Sequence, residues 1–227
     1  MLPGGARQAE IIVVGAHYDT VEGSPGADDN ASGIAGLIEI ARLLRPRQRR
    51  RTVKLVAFAN EEAPFFLTDE MGSTVYAQAA RRRGDDVRLM LSLEMLGFYV
   101  EARGSQAYPP FLKWLYPDRG NFIALVSNLP SRRALGALVR AFRESSDFPA
   151  ERLASPASVP GVGLSDHASF WRAGYPGVMV TDTAFYRYPH YHLATDTPDR
   201  LRYPEMARVV EGLAQAIQRL ASDSHVL

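Results

Sequence analysis

Residues 11–44 read IIVVGAHYDTVEGSPGADDNASGIAGLIEIARLL, and this stretch decides the fold. Ile11-Ile12-Val13-Val14 is an unbroken β-branched run, the mark of a strand buried on both faces. Glycine and acidic residues follow from Gly23 to Asn30 and break it. From about Ser32 the apolar positions Ile34, Leu37, Ile38, Ala41 and Leu44 fall at helical spacing, and Pro46 stops the helix. A buried strand feeding a helix through a tight polar turn is the unit of a parallel α/β sheet.

The same alternation continues downstream. TVKLVAFA (52–59) and VRLMLSLEML (87–96) read as strands, with a helix near Ser73 to Arg83 between them. Residues 101–120, rich in Gly, Pro and aromatics, read as a long surface loop. A strand is expected over Asn121 to Ser127. A helix capped by Ser131 should carry Leu135, Leu138, Val139 and Phe142, and a loop should follow over 154–163. A short helix (Ser165 to Ala173), a strand (Gly177 to Thr181) and a last helix from Pro204 to about Leu220 complete the pattern. The expected fold class is α/β, a largely parallel sheet covered by helices on both faces, in one domain spanning 1–227.

With 227 residues and 46% hydrophobic content, the chain is long enough for one core. Lys+Arg (26) and Asp+Glu (25) nearly cancel, so no global field recruits nucleic acid or membrane, and neither is expected as a partner. RQRRR (47–51) and Arg81 to Arg83 follow helices, where cations suit the dipole and solvent. There is no cysteine, so any metal must be held by nitrogen and oxygen. MLPGGARQAE has no apolar signal region, which leads us to expect a cytoplasmic protein. Residue 11 already lies inside a strand, so a longer, secreted or periplasmic precursor is the alternative.

In an open α/β sheet, sites gather at the carboxyl ends of strands, and His17, Glu61, Glu62 and Glu94 all fall there. Asp19, two residues from His17, points to the same side of an extended chain and can fix its tautomer; a simple turn contact is the alternative. Asp28-Asp29-Asn30 fits either a helix cap or a pair of carboxylates whose repulsion a cation relieves. Of the adjacent Glu61 and Glu62, one can bind metal while the other takes a proton from water; a solvated loop is the plainer reading. Glu94 sits in the apolar run Leu91-Ser92-Leu93-Glu94-Met95-Leu96, where a carboxylate is costly unless paired or bound to a cation. His190-Tyr191-His192 adds imidazoles and a phenol that either serves an oxyanion or packs. Aromatics at Phe65, Phe66, Phe98, Tyr99 and Tyr186 either line a pocket for an apolar substrate residue or belong to the core. Arg187 reads as a solvated surface residue.

Several segments together resemble the co-catalytic zinc aminopeptidase superfamily, which also holds glutamate carboxypeptidases and glutaminyl cyclases. They are VVGAHYDTV (13–21), PGADDNASGIA (25–35), AFANEEAPFF (57–66), MGSTVYA (71–77), SLEMLGFY (92–99), SDHASFWRAGYPGVMVTDT (165–183) and YHLATDTPDRL (191–201). The resemblance implies a mixed, mostly parallel central sheet between helix layers and two Zn²⁺ ions per chain. It places His17 and Glu94 on one ion, Glu62 and His192 on the other, and Asp29 bridging both. It makes Glu61 the general base, Asp19 the partner of His17 and Tyr191 the hydroxyl that steadies the reacting carbonyl. The implied activity is hydrolysis of the N-terminal bond of a peptide or amino-acyl substrate with a free amine. Glutaminyl cyclase and carboxypeptidase chemistry are the alternatives on the same scaffold. Asp166-His167 matches a recurrent signature, read as structural or pocket-lining. Two departures stand out: Glu94 occupies a position where many aminopeptidases carry Asp, and the chain is N-terminally short, lacking one or two strands and a helix.

Overall fold

The computed structural model describes residues 1–223. The first unit is as expected but longer: β1 covers Arg7–His17, an irregular turn covers Ala27–Ser32, and α1 covers Gly33–Leu44. Next come β2 (Arg51–Phe58), α2 (Gly72–Arg83) and β3 (Asp86–Glu94). Then follow β4 (Ile123–Ser127), α3 (Arg132–Arg143), β5 (Ala150–Ala154), α4 (His167–Arg172), β6 (Gly177–Thr181) and α5 (Tyr203–Ser222). The strands form one six-stranded sheet in the order β2-β1-β3-β6-β4-β5. All neighbouring pairs are parallel except β4 and β6, which makes the sheet mixed and mostly parallel.

Helices cover both faces. The apolar sides of α1, α3 and α5 pack with Ile12, Val14, Leu89, Leu91 and Leu93 in the larger core. On the other face Ala77 and Ala80 of α2 and Phe170 of α4 pack on Ile11, Val13 and Met90. Successive residues of β1 and β3 therefore serve opposite faces, and both faces are dry, which is why these strands read as apolar runs rather than alternating ones. Each fully buried Ile or Leu contributes roughly 1.5–3 kcal/mol.

Four expectations need correction. Residues 150–154 form an edge strand, β5, that AERLA does not advertise; it pairs with β4 and is half-exposed along most of its length. Ser131 stands at the start of α3 but makes no capping bond: its hydroxyl accepts the Gly177 N–H at 3.3 Å. Arg51 is not solvated. It is fully buried, its Nε donates to Glu10 at 2.6 Å and its Nη1 to the Leu220 carbonyl at 2.7 Å, which ties the end of α5 to β2. Arg187 is buried as well, with its guanidinium donating to Gln106 Oε1 (2.8 Å) and to the carbonyls of Phe98 (3.2 Å) and Phe122 (2.9 Å). The outer edge of β2 is partly covered by an antiparallel bridge between Leu2 and Val53. Among the described residues, no helix is long and apolar enough to cross a membrane.

Candidate metal centre

The parallel register brings three strand exits to one end of the sheet. His17 is the last residue of β1 and Glu94 the last of β3, while Glu61 and Glu62 lie just past β2. The turn carrying Asp29 is laced onto the end of β3. Asn30 Nδ2 donates to the Leu93 carbonyl (2.9 Å), and its Oδ1 accepts the N–H groups of Met95 (3.0 Å) and Gly33 (3.2 Å). Ser32 Oγ donates to the Asp28 carbonyl (2.7 Å) and accepts the Leu96 N–H (2.8 Å). The packing is tight enough that a Cβ on Gly33 would stand 2.3 Å from Asn30 Oδ1 and 2.7 Å from the Leu93 carbonyl oxygen. Asn60, Met95 and His192 turn the chain through left-handed backbone (φ 59°, 55° and 58°), each at or beside a site residue.

The five residues expected to ligate metal converge. Asp29 presents one oxygen to each imidazole: Oδ1 is 3.4 Å from His17 Nε2 and Oδ2 is 3.1 Å from His192 Nε2. Glu94 Oε1 is 3.4 Å from His17 Nε2, and Glu62 Oε2 is 3.4 Å from His192 Nε2. Glu61 joins from the side, with a carboxylate oxygen within 4.8 Å of both His17 and Glu94. His17, Asp29, Glu61, Glu62 and Glu94 are buried, and His192 is the exposed member. Tyr191 stacks on His192 with ring centroids 3.8 Å apart.

Asp19 acts on His17 somewhat differently from the expectation. His17 Nδ1 meets the Asp19 main-chain carbonyl at 3.0 Å, while the nearer carboxylate oxygen stands at 3.7 Å. The tautomer is thus set chiefly by backbone, which leaves Nε2 facing the cluster. The other Asp19 oxygen accepts the Glu62 N–H at 3.0 Å and holds the Glu61-Glu62 turn.

The electrostatics ask for positive charge. Burial alone would push the His17 imidazole down, but Glu94, Asp19 and Asp29 override it and hold it well above its usual value. Burial, reinforced by Glu94, pushes Glu61 well up. Burial, reinforced by Asp29, pushes Glu62 to about 7. Asp29 goes the other way: burial would raise it, yet the two imidazoles hold it below the usual carboxylate range.

Sequence reasoning missed the hydroxyls behind Glu94. Ser165 Oγ donates to Glu94 Oε2 at 2.6 Å and is itself 2.7 Å from Ser92 Oγ. Ser92 was legible, since it lies two residues from Glu94 on the same side of β3; Ser165 arrives from a distant loop. Asp166 and His167 are fully buried, and neither Asp166 carboxylate oxygen has a hydrogen-bond partner among the described residues. His167 Nε2 donates to the Val162 carbonyl at 2.8 Å.

Beside the cluster lies a cavity of about 810 Å³, counted with solvent at its mouth, bordered by Glu94 and Tyr191. Its walls are mainly apolar and include Tyr108, Leu112, Tyr116, Phe122, Met179 and Tyr186. Of the aromatics considered from sequence only Tyr186 lines it. Tyr99 is buried under Arg187, and Phe98 stacks on Tyr188 with ring centroids 4.8 Å apart. The 101–120 loop, expected to be plain surface, supplies much of the wall.

Fold and cluster together define a zinc-exopeptidase type of architecture. The chain belongs to peptidase family M28, whose family model matches residues 1–217. It is similar to YfbL of Escherichia coli (strain K12), 47% identical over 218 residues that cover 92% of this chain and 67% of that protein. It is 28% identical over 229 residues to a probable zinc metalloprotease of Pyrenophora teres f. teres (strain 0-1), covering 92% of this chain and 46% of that one. Among solved structures, an aminopeptidase from Aneurinibacillus sp. strain AM-1 aligns with a TM-score of 0.73 at 22% identity, over 100% of this chain and 48% of that chain. The chain thus spans about half the length of the last two and two thirds of YfbL.

Proposed function

We propose that this chain is a zinc-dependent exopeptidase of the aminopeptidase type, acting on peptides or amino-acyl substrates with a free N-terminus. One observation carries the reading: a single carboxylate, Asp29, offers each oxygen to a different imidazole, at 3.4 and 3.1 Å. The donor set fits zinc. Ligand atoms about 2.0–2.1 Å from a tetrahedral ion stand about 3.3 Å from one another, which matches the 3.1–3.4 Å spacings within the cluster. Glu62 Oε1 is buried with no hydrogen-bond partner among the described residues, a cost that a cation removes. That the similar Pyrenophora protein is a probable zinc metalloprotease and the Aneurinibacillus protein an aminopeptidase supports the same chemistry.

His17 and Glu94 would hold one ion and Glu62 and His192 the other, with Asp29 shared. Bound zinc supplies a Lewis acid for the scissile carbonyl and lowers the pKa of water to about 7. Glu61 takes the proton of the attacking water at its carboxylate and hands it to the nitrogen of the breaking C–N bond. Its burial keeps that proton from bulk water. The Tyr191 hydroxyl donates to the carbonyl oxygen as negative charge builds there. The apolar cavity beside Glu94 receives the side chain of the first residue.

The test is Glu61→Gln. It should retain two zinc ions per chain by elemental analysis and lose about 10²–10⁴-fold in kcat on aminoacyl-p-nitroanilides. Retained turnover would remove Glu61 from the role of base, and an inability of the wild type to hydrolyse any N-terminally free substrate would sink the reading.

A further inference from the structure

Asp196 is fully buried and touches none of the groups that would meet substrate, yet the hydrogen bonds that position the two sides of the cluster meet on it. Its Oδ1 accepts the Asp28 N–H at 2.9 Å and its Oδ2 the Asp29 N–H at 3.1 Å. Tyr188 donates its hydroxyl to the same Oδ1 at 2.7 Å. The Asp196 carbonyl accepts the Ala27 N–H at 3.3 Å. Three of these four donors belong to the turn that carries Asp29. Tyr188 and Asp196 close the loop that carries His192.

That loop is compact. The Leu193 N–H donates to the His190 carbonyl (3.0 Å) and the Asp196 N–H to the Leu193 carbonyl (3.0 Å), so His192 sits between two consecutive turns that end on Asp196. His192 itself holds left-handed backbone at φ 58°, a conformation that persists only where the surroundings impose it. Beside the Asp29–His192 contact itself, Asp196 is where the turn of Asp29 and the loop of His192 meet, whereas His17, Glu62 and Glu94 reach the cluster from strand exits that the sheet already fixes.

We propose that Asp196 is a positioning residue that sets the separation of Asp29 from His192, and with it the affinity of the ion these two share with Glu62. This rests on the zinc reading above. The His17–Glu94 side is held by the sheet and the Ser165 hydroxyl and meets Asp196 only through the shared Asp29, so it depends on Asp196 less. Substitution should therefore split the two ions. Asp196→Asn is the sharpest variant. Its carbonyl oxygen keeps the bonds from Asp28 and Tyr188, while its amide turns an N–H toward the Asp29 N–H and breaks that single contact.

Zinc binding to chelator-treated protein, followed by titration calorimetry, reads this out without activity. The wild type should take two ions. Asp196→Asn should weaken one ion about 10–100-fold, the usual cost of losing a supporting contact around a metal, and the other markedly less. Its kcat should fall with KM little changed and recover as zinc is raised. Placed on His192→Ala, which removes a ligand of the same ion, it should add no further loss. Tyr188→Phe, which deletes one donor and leaves the carboxylate, should weaken the same ion to a smaller degree, and it carries the test if Asp196→Asn does not fold. Two ions bound at wild-type affinity in these variants would overturn the proposal, as would equal weakening of both. A wild type that binds no zinc would instead overturn the site reading on which the proposal stands.

Discussion

Asp28 and Asp29 are neighbours in the chain and both are buried, yet the protein treats them in opposite ways. Asp28 is partnered by the protein at one oxygen and stands opposite another carboxyl at the other, where its Oδ2 has no donor among the described residues. Its Oδ1 accepts the Gly97 N–H at 2.9 Å, and its side chain faces Asp182 within hydrogen-bonding reach. Burial, and then the charge of Asp182, push Asp28 well up. Asp182 is pushed to about 6 by burial, against the pull of Arg187. Asp29 faces two imidazoles and the carboxylate of Glu62, with no Lys or Arg ion-paired to its carboxylate among the described residues. The histidines repeat the contrast. His17 is buried among carboxylates and held up, while His167 is buried among apolar groups and pushed to about 4. Burial is common to all four residues. What separates a place for a cation from ordinary interior is whether the protein supplies the compensating partner itself.

The largest test of that contrast is Asp29→Asn. Losing the shared carboxylate should take bound zinc below two per chain and cost at least as much activity as Glu61→Gln, read by elemental analysis beside p-nitroanilide turnover. Zinc content unchanged from wild type would put Asp29 in the same category as Asp28.

His167 gives an intermediate effect, visible as a pH slope. Its folded pKa of about 4 lies below its usual value of about 6.5, so between these limits the unfolded chain takes up a proton that the folded one refuses. The stability this imidazole contributes is complete above about pH 6.5 and is lost as pH falls toward 4, at up to about 1.4 kcal/mol per pH unit. His167→Gln keeps an N–H for the Val162 carbonyl and cannot titrate. Its urea-unfolding free energy should fall less steeply between pH 7 and 4.5 than that of the wild type, and identical slopes would mean that the imidazole is not kept neutral.

The smallest effect belongs to Asp28→Asn. An amide keeps an acceptor for the Gly97 N–H and turns an N–H toward Asp182, so stability should change by less than about 1 kcal/mol with zinc content intact. A loss of metal here would dissolve the distinction between the two neighbours.

Much of this was legible in the chain. The runs at 11–14 and 87–96 announced central strands because a strand dry on both faces must be apolar throughout, while the run at 52–59, which also read as a buried strand, forms the edge strand β2 and is only half-buried over 54–56. β5 was hidden because an edge strand half-exposed to solvent needs no such run, and AERLA has a composition that suits a helix equally well. Glu94 was conspicuous as a carboxylate in an apolar run, whereas its partner Ser165 was not, since a serine in a loop has no pattern to violate. Arg187 was misjudged for a related reason. A long cation reads as surface unless the carbonyls that surround it are known.

Local order along the chain, then, was enough to place His17, Glu61, Glu62 and Glu94 at strand exits, because side-chain periodicity and strand burial are written in neighbouring residues. It was not enough to choose between Asp28 and Asp29, to turn Asp19's backbone rather than its side chain toward His17, or to bind the turn of Asp29 to the loop of His192 through Asp196. Those outcomes depend on residues 43 to 168 positions apart meeting in the folded chain, where the identity of the partner sets the free energy of every charge.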